Sequence, residues 1–268
     1  MPVLPPGTIL QHLYLKERLR HLNPGRFVDV GCGQGFTSRV LLDAGWSGTG
    51  YDLNADSLSV AAELNSEAVA QGRYSVANVD WLDGDGTGDA DLVISCCVLE
   101  HLSAEQECRF LDRAAREMTP RGLLILIVPG SPRHWGIEDE IAGHFRRYTY
   151  DGLRSLVEAR GWKCIHSAGL TYPLGNFLLP LSNALVKRAE RSKRALSMAE
   201  RTKLSGNRNV PFKTRFPSVL NLILNEQVLW PLHLLQKASS RNPDCLILFG
   251  EFQPSSLGSR GVSRKSAG

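Results

Sequence analysis

Residues Val28-Asp29-Val30-Gly31-Cys32-Gly33-Gln34-Gly35 constrain this chain more than any other stretch. A β-branched apolar run ends in three glycines at every second position, and an amphipathic stretch (Phe36, Val40, Leu41) follows at once. That change of period reads as strand, tight turn, helix. Glycine admits positive φ and leaves bare backbone for a ligand to lie against. The helix start beyond it offers unpaired N–H groups and the positive end of a dipole. A nucleotide-like ligand suits such a turn, and two acids sharpen the reading. Asp29 lies inside the strand, where a carboxylate is out of place unless it anchors the loop or meets a ligand's ammonium. Asp52 ends the next apolar strand, Gly48 to Tyr51, at the distance expected of a ribose-binding carboxylate.

Strands alternate with helices along the chain. Asn23-Pro24-Gly25 stops a first helix expected over Ile9–Leu22. Asn54 can cap the helix after Asp52. Tyr74 to Val76 reads as a third strand and Asp91 to Cys96 as a fourth. Ser103-Ala104-Glu105-Gln106 forms a capping box for the helix that follows. The fully apolar run Leu123 to Val128 suits the centre of a parallel sheet. Thr149 caps a helix over Tyr150–Arg160, Trp162 to Ala168 is strand six, and the last strand is expected at 244–252. This order predicts an α/β fold: a doubly wound, Rossmann-like, mostly parallel sheet of seven strands, with a helical insertion before the last strand. Its ligand lies at the carboxyl ends of the strands. The expected division is a core over 1–170, an insertion over 171–243, the closing strand over 244–252 and a disordered tail over 253–268.

The motifs together resemble the class I S-adenosylmethionine-dependent methyltransferases, in their small-molecule, ubiquinone-biosynthesis-like branch. Val28 to Gly35 is similar to that family's first motif, Tyr51-Asp52-Leu53-Asn54 to its acidic second. Asp91 to Leu102 resembles its fourth motif, and Arg121-Gly122-Leu123 to Pro129 its fifth strand. A dinucleotide-binding dehydrogenase instead needs Gly-x-Gly-x-x-Gly; Phe36 and Thr37 follow Gly35, so the third glycine is missing.

The resemblance implies S-adenosylmethionine as cofactor. Gly31, Gly33 and Gly35 would flank its methionine moiety, Asp29 its ammonium, Asp52 and Leu53 its ribose, and Asn78 and Val79 its adenine. Asp80-Trp81 is an alternative register for the adenine contact. Ser95 or Cys96 would approach the methionine end. Some quinone-modifying relatives hold a divalent metal with Glu-x-x-Glu-His; here Cys97 stands at the first Glu position, so no metal is expected. Glu100 and His101 are then either structural or catalytic. His144, in Gly143-His144-Phe145-Arg146-Arg147-Tyr148, is the expected general base, since imidazole titrates near neutrality. Arg146, Arg147 and Tyr148 are the expected substrate-binding residues; the arginines can instead pair with Glu138, Asp139 and Glu140.

Composition limits the partners. Hydrophobic residues make up 43% and charged ones 22%, as in soluble globular proteins. The six cysteines show no paired spacing, no Cys/His cluster has zinc spacing, and no signal-like or membrane-spanning stretch is apparent. A cytoplasmic protein is expected, with optional peripheral contact with membrane. Residues 171–243 hold 12 Lys and Arg against 3 Asp and Glu, whereas 1–170 hold 16 against 22. Leucine-rich helical faces edged by cations suit a lid over a greasy substrate, an element beside anionic lipid, or an extra core layer. Sparse aromatics and the lack of Asn-Pro-Pro-aromatic argue against a nucleic-acid partner. The expected activity is methyl transfer to a small-molecule or lipid-linked acceptor at oxygen. The rival is a non-catalytic S-adenosylmethionine-binding module.

Overall fold

Period-two alternation in the central strands builds two cores. The computed structural model describes residues 3–189 and 216–255. Its strands are β1 (Arg26–Val30), β2 (Ser47–Tyr51), β3 (Tyr74–Ala77), β4 (Ala90–Cys96), β5 (Met118–Pro129), β6 (Trp162–Leu170) and β7 (Ile247–Pro254). They form one sheet in the order β3-β2-β1-β4-β5-β7-β6, in which only β7 runs antiparallel to its neighbours. The helices are α1 (Pro6–Leu19), α2 (Phe36–Asp43), α3 (Ala55–Leu64), α4 (Ser66–Ala70), α5 (Ala104–Glu117), α6 (Ile137–Ala142), α7 (Tyr150–Glu158), α8 (Leu174–Ala189) and α9 (Glu226–Ala238).

Val28, Val93, Leu124 and Leu126 face one side, where Phe110 and Leu111 of α5 and Leu153 and Val157 of α7 cover them. Phe27, Leu92, Ile94 and Ile125 face the other, under Tyr14 and Leu15 of α1 and Leu41 of α2. A period of two can serve both faces only if every strand position is apolar, which is what the central runs supply. A smaller cluster joins Ile9, Leu10 and Leu13 of α1 to Leu229 of α9, so α9 lies outside α1 as a further layer.

Local signals place most helix starts. Asn54 accepts from the Ser57 N–H at 3.1 Å, Thr149 from the Gly152 N–H at 3.0 Å, and Ser103 and Gln106 form the capping box. Several boundaries differ from expectation. The first helix starts at Pro6 because proline, with no N–H to leave unpaired, fits a first turn; it ends at Leu19. β5 begins at Met118, since Met118 pairs with Ala90 across a register shift although Thr119-Pro120-Arg121 reads as a turn. The last strand starts at Ile247 rather than 244, because Asp244 is held in a loop by its N–H bond to Asn242 Oδ1 at 2.9 Å. β7 also continues to Pro254, into the expected tail. The cationic run over 190–215 and the tail from 256 lie outside the described residues. No described helix is long and apolar enough to cross a membrane. All six cysteines are free thiols.

Candidate active site

The ends of β1, β2, β4 and β5 open into one cavity of about 1330 Å³. It lies where β1 and β4 meet and the strand order reverses, the position at which doubly wound sheets bind ligands. Its volume exceeds the roughly 300–1,000 Å³ usual for a single ligand, leaving room for a donor and an acceptor together.

On the β1–β2 side, Gly31, Gly33, Asp52, Leu53, Val79 and Asp80 line the cavity. Gly31, Gly33 and Gly35 all have positive φ, at 71°, 53° and 78°. A Cβ on Gly33 would meet nothing within 4 Å, so the backbone there borders open space. Asp52 Oδ2 accepts from the Gly33 N–H at 2.9 Å and Oδ1 from the Asn54 N–H at 2.8 Å. These bonds lock the carboxylate to the glycine loop and leave lone pairs for ligand hydroxyls. Asp80 caps the next turn through Leu82 N–H at 3.0 Å.

Four of the expected cofactor contacts fall elsewhere. Asp29 is fully buried, does not line the cavity, and accepts from Ser38 Oγ at 2.6 Å; it holds the start of α2. Burial, then the hydrogen bond and the nearby Asp52 charge, leave its pKa at about 7. Gly35 is a packing position, since a Cβ there would stand 2.8 Å from Ala61 Cβ and from Asn65 Nδ2. Asn78 turns its amide back to the Asp52 carbonyl at 2.9 Å, and the alternative register through Asp80 and Trp81 supplies the lining. Ser95 is buried in the β4 ladder, whereas Cys96, one residue on and so of opposite orientation, lines the cavity.

On the β4–β5 side stand Cys97, Glu100, His101, His144 and Arg147. His144 Nδ1 lies 2.8 Å from Asp139 Oδ1, and Arg147 Nε donates to the same oxygen at 2.8 Å. Burial would raise the Asp139 carboxyl, but the bonds from His144 and Arg147 outweigh it and hold it below its ordinary value. His144 Nε2 is 3.9 Å from Glu100 Oε1. Glu100 is fully buried beside Cys97; burial, then Cys97, push its pKa well above the usual carboxylate range. His101 packs edge-on to His144 with ring centroids 4.7 Å apart. Burial and the neighbouring His144 lower its pKa to about 4, which keeps it neutral and a poor base. Cys97 and Thr171 hold left-handed φ values of 56° and 68°, and both line the cavity. Strain of that kind persists only where the surroundings impose it.

Arg146 and Tyr148 do not face the cavity. Both instead donate to the buried Glu107 of α5. Sequence reasoning left Glu100 either structural or catalytic, gave Asp139 only a pairing role with the arginines, and overlooked Gly7, Thr8 and Gln11 of α1, which also line the cavity. Only the Gly-Thr start of an amphipathic helix hinted at those three. Among the described residues, Glu100, His101 and His144 bring ligand-type atoms within 4.8 Å of one another.

This fold and glycine loop are those of the class I S-adenosylmethionine-dependent methyltransferase family. The methyltransferase domain family matches residues 8–167, and the chain belongs to it. A ubiquinone biosynthesis O-methyltransferase from Caulobacter sp. (strain K31) is 31% identical over 101 residues, 38% of this chain and 39% of that protein. The match thus spans about two-fifths of that relative's length. Among solved structures, a sarcosine dimethylglycine methyltransferase assigned in Galdieria sulphuraria superposes with a TM-score of 0.55 at 15% identity, over 93% of this chain and 85% of that one. A phosphoethanolamine N-methyltransferase 2 from Haemonchus contortus, crystallised with phosphomonomethylethanolamine and S-adenosylhomocysteine, gives 0.58 at 17%, over 91% and 52%. Both share the fold.

Proposed function

We propose that this protein transfers a methyl group from S-adenosylmethionine to an oxygen of an apolar small-molecule or lipid-linked acceptor, with His144 as general base. The observation that carries the reading is the Asp139–His144 bond, set in the same cavity as Gly33 and Asp52. Bound in that cavity, S-adenosylmethionine supplies a methyl carbon on a positively charged sulfur, open to displacement. Gly33 leaves room for its methionine part, and Asp52 offers acceptors to its ribose hydroxyls. The chain's remaining task is to hold the acceptor in line, exclude water and take one proton. With Nδ1–H donated to Asp139, His144 presents Nε2 to the cavity as that proton acceptor. The ionised Asp139 then stabilises the imidazolium that forms. His101, its pKa lowered by burial to about 4, stays neutral beside it and adds no competing charge. Leucines of α8 line the acceptor's side, which favours an apolar molecule. An oxygen acceptor agrees with the activity named for the curated relatives.

A second reading rests on the unbonded Glu100 oxygens and His101 Nδ1. Glu100, His101 and His144 would then hold a divalent ion that acidifies the acceptor hydroxyl. Turnover of phenolic acceptors of increasing chain length, followed by S-adenosylhomocysteine release, tests both. Activity that survives a chelator and fails in His144→Gln supports the base. Activity abolished by the chelator and restored by a divalent ion supports the metal. Tight donor binding with no turnover on any acceptor supports a non-catalytic binding module instead.

A further inference from the structure

We infer that α8, the 216–224 segment and α9 together form a docking face for an anionic lipid bilayer, with the cavity mouth opening onto it. The inference uses the proposed acceptor class only for what the face delivers, not for the docking itself. Large apolar side chains stand in solvent here: Phe177 is 82% exposed, Leu222 76% and Val219 66%. Ile223 is exposed as well, and so are Trp230 and Leu234 of α9. Soluble proteins rarely leave such a concentration uncovered, and an exposed apolar face of this kind marks an interaction site.

The patch runs into the cavity. Leu181 is more than half exposed and also lines the cavity, as do Leu178, Leu185, Phe216 and Leu224 from the same two segments. Leu174, Leu224 and Leu232 pack against one small cluster, which ties α8, the 216–224 segment and α9 into a single surface. An apolar acceptor leaving a membrane at this face would meet leucine from the bilayer to the site and need not cross water.

Charge selects the occupant. Lys187 and Arg188 form the last turn of α8. The stretch 190–215, which in sequence connects Ala189 of α8 to Phe216, carries 8 Lys and Arg against 2 Glu. Residues 1–170, in contrast, are net acidic. Apolar side chains beside clustered cations, on a domain otherwise negative, match an anionic bilayer: the lipid charge attracts and the apolar residues insert. A protein partner would need a shaped complement, whereas a bilayer asks only for this pairing of charge and grease.

The test is co-sedimentation of the full chain with vesicles of phosphatidylcholine alone, or mixed with phosphatidylglycerol. Binding is expected to the mixed vesicles only and should weaken as salt shortens the screening length. Phe177→Ser/Leu222→Ser/Ile223→Ser should reduce partitioning about tenfold or more, with the donor's Kd and the melting temperature unchanged. Should that variant fail to fold, fluorescence replaces it: brominated lipid in mixed vesicles should quench the native protein and lose that effect in Trp230→Phe. No binding to mixed vesicles, or binding that the triple variant leaves intact, overturns the proposal. So does a dimer that the triple variant converts to monomer, which assigns the face to a second copy. Turnover of a water-soluble phenolic acceptor without vesicles reports separately on the methyl-transfer reading.

Discussion

On the proposed mechanism His144→Ala should slow methyl transfer roughly 100-fold or more while the donor's Kd stays unchanged, because the residue would take the acceptor's proton. His101→Ala should slow it far less, since burial keeps His101 a poor base with a pKa of about 4. Equal losses in steady-state turnover would remove the distinction. Asp52→Ala acts on the donor: losing charge-assisted bonds should weaken binding by about 1.5–3 kcal/mol, read by calorimetry. Asp29 predicts a pH effect on stability. Its folded pKa of about 7 lies above the ordinary value of 3.8, so the folded state holds a proton that the unfolded chain releases in that window. The stability it contributes is therefore complete below pH 3.8 and is lost as pH rises through about 7. Urea denaturation of native protein and Asp29→Asn at several pH values should show the native protein losing ground to the variant as pH rises. A constant gap would mean that Asp29 does not titrate in this range.

The glycine turn between β1 and α2 separates two uses of one residue type. Gly33 and Gly35 both take positive φ, so alanine strains the backbone at either. Only at Gly35 does the added methyl also strike neighbours, Ala61 and Asn65, which lock α2 against α3. Gly35→Ala should accordingly lower the melting temperature more than Gly33→Ala, and Gly33→Ala should weaken the donor more relative to its stability cost. Thermal melts and calorimetry on the pair check this; the reverse ranking would place the ligand at the wrong end of the turn. The elements themselves follow from short-range rules. Asn54, Ser103 and Thr149 cap helices because their side chains reach N–H groups three residues ahead.

Across the whole molecule, α9 joins α1 to the end of β6 through one buried amide. Gln236 Oε1 accepts from the Thr171 N–H, and Nε2 donates to the Leu10 carbonyl, both at 2.9 Å. Gln236→Ala would strand these buried groups and should cost about 1–3 kcal/mol in urea denaturation. A smaller loss would show that water reaches them. His233 and Lys237 reach Glu17 from the same helix, so part of the region before the last strand packs as a layer on α1. α8, by contrast, lines the cavity and stays exposed outside it.

The sheet, its order of elements and the glycine loop were legible in the sequence because each depends on neighbours a few residues apart. Alternating apolar strands, caps and glycines at required turns carry their meaning locally. The cavity wall beside the glycine loop was partly legible for the same reason, since Gly31, Gly33 and Asp52 sit at the ends of β1 and β2. Which acid meets which cation was not. Arg146 turns to Glu107, 39 residues away in the chain, and His144 to Asp139, only 5 away. Both choices were open until the loop after β5 folded over α5. Tertiary structure also decided that Asp29 and Ser95 face inward while Cys96 faces the cavity. Orientation at a strand's end depends on where the ladder stops, and the partner strand sets that point.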